Sequence, residues 1–192
     1  MEGSDHTDDH EETEEELDLD ELEQLAPLNF EIGDSVVYPQ HGAGQVLKKE
    51  DKTVLGETRE YLTIQILHND MTVMVPTENA ARAGLRRVID EETMVKVVDV
   101  LQSDCSRMSG NWSRRYKYNR EKIRSGNIYD LAEVVRDLGV RDHEKGLSTG
   151  EKGMYNRAKR ILASEMMYAL NMDEDQVDEH LTTVILEGQK AA

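Results

Sequence analysis

Residues 30–76 consist of short apolar and β-branched runs separated by turn residues. In residues 60–67 every second residue from Leu62 to Ile66 is apolar, so one face of this run is hydrophobic. Strands are therefore predicted at 35–38, 44–47, 60–67 and 71–75, and a tight hairpin turn at His68-Asn69-Asp70. Four or five short strands in so short a stretch predict a small β-barrel of the SH3 or Tudor type.

After Pro76 the hydrophobic period changes from two to about 3.6 residues, which predicts helices. The expected N-terminal caps are Asp90, Ser113, Asn127 and Ser148, the last in a capping box with Glu151. Gly139 is expected to end the third helix, and residues 173–187 predict a last, acidic one. The second part of the chain is therefore predicted to be an all-helical domain.

The first 29 residues contain 13 acidic residues and no Lys or Arg. So little apolar surface cannot offset the entropy of ordering a chain, and this stretch is predicted to be a disordered acidic tail. The predicted fold class is α+β. The predicted parts are a tail at 1–28, a Tudor-like domain at 29–80 and a helical domain at 81–188.

Charge is segregated along the chain, whose net charge is −17. Residues 112–160 alone carry 13 basic and 7 acidic residues, a local net charge of +6. Within this stretch, Trp112 and two tyrosines are interleaved with arginines and lysines up to residue 124. Cations neutralise phosphates and a flat ring can stack on a base or enter a groove, so this pattern favours nucleic-acid contact. The competing interpretation is a solvated helix face.

The sequence does not indicate an enzyme. The six histidines are scattered without the spacing of metal ligands, and no nucleophile motif is present. Gly42-Ala-Gly44 joins two predicted strands and has no following helix, so we interpret it as a structural turn instead of a phosphate loop. No catalytic residue, metal or cofactor is therefore predicted.

The predicted location is the cytoplasm. No apolar run approaches the ~20 residues that cross a bilayer. The N-terminus is acidic where a signal peptide would be basic and then apolar. A membrane partner is therefore not expected.

Six motifs, in order, resemble the CarD/CdnL family of bacterial transcription regulators. They are Phe30-x-Ile-Gly-Asp-x-Val-Val-Tyr-Pro-x-His-Gly-Ala43, Gly56-x-x-x-Glu-Tyr-Leu62, Val75-Pro-x-Glu-Asn79, Asn111-Trp-Ser-Arg-Arg-Tyr-Lys117, Ala132-Glu-Val-Val-Arg-Asp-Leu138 and Leu147-Ser-x-Gly-Glu-Lys152. The resemblance runs colinearly from about residue 30 to 188. The acidic tail lies outside it.

The resemblance implies a protein that binds RNA polymerase and stabilises the promoter open complex without reading sequence. It implies that a Tudor-like domain docks on the polymerase β subunit by edge-strand pairing, and that a helical domain meets the upstream edge of the bubble. The implied DNA-binding residues are Trp112 as a wedge, with Arg114, Arg115, Lys117 and Lys152 on phosphates. The implied polymerase-binding residues are Lys52, Met71, Thr72, Val73, Met74 and Val75.

The implied partners are the polymerase β subunit and promoter DNA, with the sigma factor as a further candidate and the protein acting as a monomer associated with the nucleoid. The chain departs from the family pattern at Met74 and Lys52, where relatives often carry Arg. Both changes remove bidentate pairing with a carboxylate. The alternative function is a free-standing, sequence-neutral DNA-bending protein, which would need no docking strand.

Overall fold

The protein is described here by a computed structural model, which covers residues 29–39, 41–67, 71–105 and 108–191. A five-stranded antiparallel sheet is followed by five helices, which confirms the predicted α+β class with a Tudor-like part before a helical one. The predicted acidic tail at 1–28 and the turn at 68–70 lie outside the described residues.

The strands are β1 (Ser35–Tyr38), β2 (Gly42–Val54), β3 (Glu57–Ile66), β4 (Thr72–Pro76) and β5 (Arg86–Arg87). Their order in the sheet is β4-β3-β2-β1-β5, so β4 and β5 are the two edges. β5 lies beyond residue 80, where the sequence placed the end of the first domain, and pairs with Val36 and Val37. Two residues are too few to produce a recognisable alternation.

β2 and β3 are longer than predicted because they form one hairpin that continues past the core. Leu55 and Gly56 make its turn with φ of 53° and 87°, the left-handed conformation that two-residue hairpin loops require. Residues 48–54 are mostly charged and exposed, so they carry no apolar alternation that would predict a strand.

The sheet packs its apolar face on its own core. Leu62, Ile64 and Ile66 are fully buried, as their alternation predicted, and they pack with Phe30 and Leu85. Close approach explains Gly44, where a Cβ would stand 2.3 Å from the carbonyl oxygen of Gln65.

The helices are α1 (Glu91–Gln102), α2 (Trp112–Arg124), α3 (Ile128–Lys145), α4 (Thr149–Leu170) and α5 (Glu174–Ala191). The side chains of Asp90, Asn127 and Ser148 cap α1, α3 and α4 as predicted. Ser113 was predicted to cap α2, but Asn111 does so and Trp112 is the first helical residue. Asparagine is as good an N-cap as serine, so composition alone could not decide between the two positions.

Gly139 does not end α3, which continues to Lys145 and is capped by Gly146 with φ of 75°. A Cβ at Gly139 would stand 3.2 Å from the hydroxyl of Tyr155, so this glycine allows close packing between helices instead of ending one. The helices share a second core around Leu101, Leu138 and Leu162.

Two adjacent residues of α4 join the helices to the sheet. Ser164 Oγ accepts a hydrogen bond of 2.8 Å from the backbone N–H of Ala43 at the start of β2. Glu165, which is fully buried, accepts two bonds from the Arg86 guanidinium at 2.5 and 2.9 Å and one from the N–H of Ile89 at 3.1 Å. These bonds fix α4 against both β2 and β5.

Among the described helices, none is long and apolar enough to cross a membrane. Over the same residues, no group of three or more His, Cys, Asp or Glu side chains is placed to hold a metal ion.

Candidate nucleic-acid and polymerase interfaces

Trp112 stands at the first turn of α2 with 46% of its surface exposed. The side chain of Asn111 caps this turn by accepting a 3.1 Å hydrogen bond from the N–H of Arg114. A tryptophan that is half exposed leaves a large apolar area that a ligand can cover.

The indole ring is held in place on two sides. Its Nε1 donates a 2.9 Å hydrogen bond to Ser148 Oγ at the start of α4. Its face stacks on Tyr116, one turn further along α2, with ring centroids 5.2 Å apart. The ring therefore has a fixed orientation although much of it is exposed.

Ser148 connects the indole to a buried ion pair. Its hydroxyl donates a 2.7 Å bond to Glu151 Oε2 within the capping box, and Glu151 Oε1 accepts a 2.6 Å bond from Arg115 Nε. Burial opposes the charged form of Glu151, but the bonds from Arg115 and Ser148 outweigh it and lower the pKa of this carboxyl. Glu151 is therefore a charged anchor beneath Trp112.

Arg115 is buried, whereas the predicted phosphate contact requires an exposed side chain. It is only 4% exposed, and besides Glu151 its guanidinium binds the carbonyl of Ser109 at 2.7 Å. A phosphate contact would break this buried pair, at a large cost in free energy. We therefore correct the prediction for Arg115, which supports the site from beneath instead of facing DNA.

The remaining predicted cations are on the surface. Arg114 and Lys117 are exposed on α2, and Lys152 is exposed on the first turn of α4, the turn that begins at the serine bonded to Trp112. Lys117 lies 4.0 Å from Glu121, a surface pair too weak to hold its ammonium away from a phosphate. These three cations are therefore exposed, and they remain candidates for contact with DNA together with the ring.

A groove of about 440 Å³ runs between α2 and α4 beside Trp112. Its lining residues are Tyr116, Arg120, Ile123, Arg124, Thr149, Gly150, Gly153, Met154 and Arg157. It meets the indole at Gly150, where a Cβ would stand 3.5 Å from the Trp112 ring. Arg120 and Arg124 belong to the basic stretch recognised in the sequence, whereas the sequence did not indicate Arg157 or the groove itself as a site.

The predicted polymerase-binding residues gather around β4, which is an edge of the sheet. Met74 is 55% exposed, and Lys52 from β2 reaches across β3 to place its ammonium 3.0 Å from the Met74 sulfur. Lys52 also pairs with Glu50 at 3.1 Å. The two positions at which the chain departs from the family pattern are thus in contact.

The register of β4 determines which of its main-chain groups face outward. The N–H of Ile66 binds the carbonyl of Met71, and pairing continues without a bulge through Gln65 with Thr72 and Ile64 with Val73. In an antiparallel pair the bonded residues alternate, so Val73 and Val75 direct their main-chain groups to β3. Thr72 and Met74 direct theirs outward. Val75 is also buried at its side chain.

The contacts that hold Trp112 are not evident from the sequence. Tyr116 packs against the helical core and also stacks on the indole, and its sequence position indicates only the first of these contacts. The capping box was recognised, yet nothing local indicates that its serine accepts a bond from a residue 36 positions earlier. Only the packing of α2 against α4 brings them together.

Two family models match this chain in sequence. The C-terminal domain of CarD matches residues 96–182, and the CarD-like/TRCF RID domain matches residues 30–89. YdeB of Bacillus subtilis (strain 168) is 38% identical over 148 residues, which are 77% of this chain and 97% of that protein. The solution NMR structure of the 72-residue N-terminal domain of Myxococcus xanthus CarD is 32% identical over 32% of this chain and 83% of its own, with a TM-score of 0.28.

One model matches the sheet and the other matches the helices, and the similarity to YdeB spans nearly the whole of that relative. The chain therefore belongs to the CarD family of transcription regulators that interact with RNA polymerase.

Proposed function

We propose that the protein docks on the polymerase β subunit through the β4 edge and stabilises the promoter open complex through Trp112, without reading sequence. The observation that carries this proposal is the exposed indole, fixed by Ser148 and Tyr116. It stands where the first turn of α2 meets the first turn of α4, which carries the exposed Lys152, and Arg114 and Lys117 are exposed further along α2.

Preorganisation makes the ring suitable as a wedge. An aromatic side chain that enters a distorted groove or stacks on a base contributes about 1–3 kcal/mol. A ring that is already oriented loses little rotational freedom on binding, so more of that energy remains for the complex. Since 1.4 kcal/mol is tenfold in an equilibrium constant, one such contact made only with the distorted bubble edge shifts opening about tenfold.

The net charge of −17 repels DNA over long distances, so the protein attracts phosphates only at short range. Arg114, Lys117 and Lys152 can each neutralise a phosphate at short range, where screening leaves their attraction intact. Such weak binding becomes effective when docking on the polymerase raises the local concentration of the protein. Tethering and wedge contact are therefore two parts of one function.

Docking by strand addition fits the outward main-chain groups of Thr72 and Met74 at the β4 edge. The exposed Met74 side chain and the Lys52 ammonium lie beside that edge and would contact the partner. Methionine adapts its shape to a partner surface, whereas the arginine of relatives would form a directed ion pair. We infer that this chain relies more on main-chain bonds than those relatives do.

The bonds from Ser164 and Glu165 to the sheet give the two surfaces a fixed separation. A rigid connection places Trp112 at one point relative to the polymerase, which is necessary if the protein recognises the bubble edge by its position and not by its sequence.

We propose a division into a docking part that ends after β5 and a helical part that begins at α1, with the protein acting as a monomer in the cytoplasm. The sigma factor, which shares the upstream promoter region, is a further candidate partner.

The test is the lifetime of open complexes on one promoter with and without the full-length protein, together with capture of polymerase by residues 30–89. We expect a longer lifetime and retained capture. A free-standing DNA-bending protein would instead bind DNA equally well without polymerase and would not capture it.

A further inference from the structure

The groove between α2 and α4 is lined by charged side chains that take no part in the proposed wedge contact. Three arginines, Arg120, Arg124 and Arg157, line its rim, all with exposed side chains. None of the nine described residues that line it is acidic. In a chain of net charge −17, such a groove is a local site for an anion.

The floor of the groove is apolar and aromatic. Ile123 and Met154 contribute aliphatic surface, and Tyr116 contributes one face of the pair that it forms with Trp112. A phosphate ion alone has no apolar surface to pack on this floor. A nucleotide can place its base on the floor and its phosphate on the arginines. The volume of about 440 Å³ suits one nucleotide.

Gly153 lines the groove beside open space. Nothing lies within 4 Å of the position that its Cβ would occupy, and it has no positive φ that would require glycine. Inside a helix it costs about 1 kcal/mol relative to alanine. Neither packing nor backbone conformation requires glycine here, and a longer side chain at this position has open space to occupy in the groove.

We propose that this groove binds one unpaired nucleotide of the melted DNA strand next to the Trp112 contact. Paired bases are stacked inside the duplex and cannot reach the floor, so the groove selects DNA that is already open. This inference rests on the proposed function and extends it, since the same surface would then recognise both the edge of the bubble and one base of the open strand.

The test uses the full-length protein and two labelled DNAs at one salt concentration: a duplex and a fork with an unpaired arm. We expect the wild type to bind the fork about tenfold more tightly than the duplex. Gly153→Leu fills the groove and should remove this preference while duplex binding stays unchanged. Gly153→Ala is the matched control, since it also favours the helix but leaves the floor open.

The arginines are tested by the double variant Arg120→Gln/Arg124→Gln, which should lower the salt slope of fork binding by about one to two. Equal fork affinity of the Gly153→Leu and Gly153→Ala variants would overturn the proposal, as would an unchanged salt slope. Displacement of the fork by micromolar deoxythymidine monophosphate would also overturn it, because the groove would then be a site for free nucleotides.

Failure of the groove proposal is distinguishable from failure of the proposed function. If only the groove assignment is wrong, Gly153→Leu binds forks normally while the protein still prolongs the open complex. If the wedge assignment is wrong, Trp112→Ala leaves that lifetime unchanged.

Discussion

Trp112 and Ser148 are 36 residues apart and are joined by a 2.9 Å hydrogen bond from the indole Nε1 to the serine Oγ. The same hydroxyl belongs to the capping box of α4, and through Glu151 it is linked to the buried guanidinium of Arg115. The exposed ring and the buried ion pair are therefore parts of one network. Changes beneath the surface should alter how the ring is presented.

Ser148→Ala should weaken DNA binding indirectly, because Ser148 orients Trp112 and is not itself a predicted DNA-binding residue. The variant loses the helix cap, which costs about 1 kcal/mol, and it frees the indole. Because Trp112 is the only tryptophan, the fluorescence anisotropy of the protein reports on this ring directly. We expect faster depolarisation of Trp112 emission in Ser148→Ala and wild-type behaviour in Ser148→Thr. Equal ring mobility in all three proteins would show that the hydrogen bond does not orient the ring.

Acid should destabilise the helical part through Glu151. The pKa of this carboxyl is lower in the folded protein than its ordinary value of about 4.5. Its contribution to stability is therefore fully present above that value and is lost as the pH falls through the folded pKa. Urea unfolding measured from pH 7 to pH 3 should show a shallower loss of stability in Glu151→Gln than in the wild type. Parallel curves would exclude Glu151 as a source of the acid sensitivity.

The register of β4 predicts that two proline substitutions differ in outcome. Met74→Pro removes an outward N–H and should abolish polymerase capture while the sheet stays folded. Val73→Pro removes a bond to β3 and should destabilise the sheet itself.

Met74→Ala is the control, because it shortens the side chain and keeps the N–H. Capture is measured by pull-down and folding by circular dichroism. Undiminished capture by a folded Met74→Pro protein would place docking on another surface.

Arg86→Met should loosen the connection between sheet and helices. It leaves the carboxylate of Glu165, which is fully buried, without its cation, and removing one partner of such a pair costs about 3–5 kcal/mol. Adding Glu165→Gln should recover part of this loss, since the amide oxygen still accepts from Ile89 N–H and no charge is buried. Thermal unfolding of the three proteins measures the effect. No recovery in the double variant would mean that charge burial is not the cause.

The sequence was sufficient to predict elements whose patterns are local. Alternation in β3 identified its buried face, and the caps of α1, α3 and α4 were found because each cap bonds to a backbone N–H within three residues of itself. The exposed part of the β2–β3 hairpin escaped prediction because its residues are polar on both faces. The stability of that extension depends on pairing between strands, which hydrophobic periodicity does not report.

The candidate site was predictable by residue type and not by arrangement. Trp112 is exposed as the clustering of cations around it suggested, but the same cluster hid a buried member, Arg115, because its partner Glu151 lies 36 residues away. Charge counts treat exposed and buried arginines alike. The three arginines of the groove are brought together only by the packing of α2 against α4, which the sequence does not reveal.

The most direct test of the account is the lifetime of the open complex on a single promoter with wild type, Trp112→Phe and Trp112→Ala. Trp112→Ala should shorten the lifetime roughly 5- to 150-fold, corresponding to about 1–3 kcal/mol, while the affinity for polymerase alone stays unchanged. Trp112→Phe keeps a ring but lacks the bond to Ser148, so its lifetime should lie between the two. A Trp112→Ala protein that is folded, binds polymerase and gives wild-type lifetimes would contradict the account.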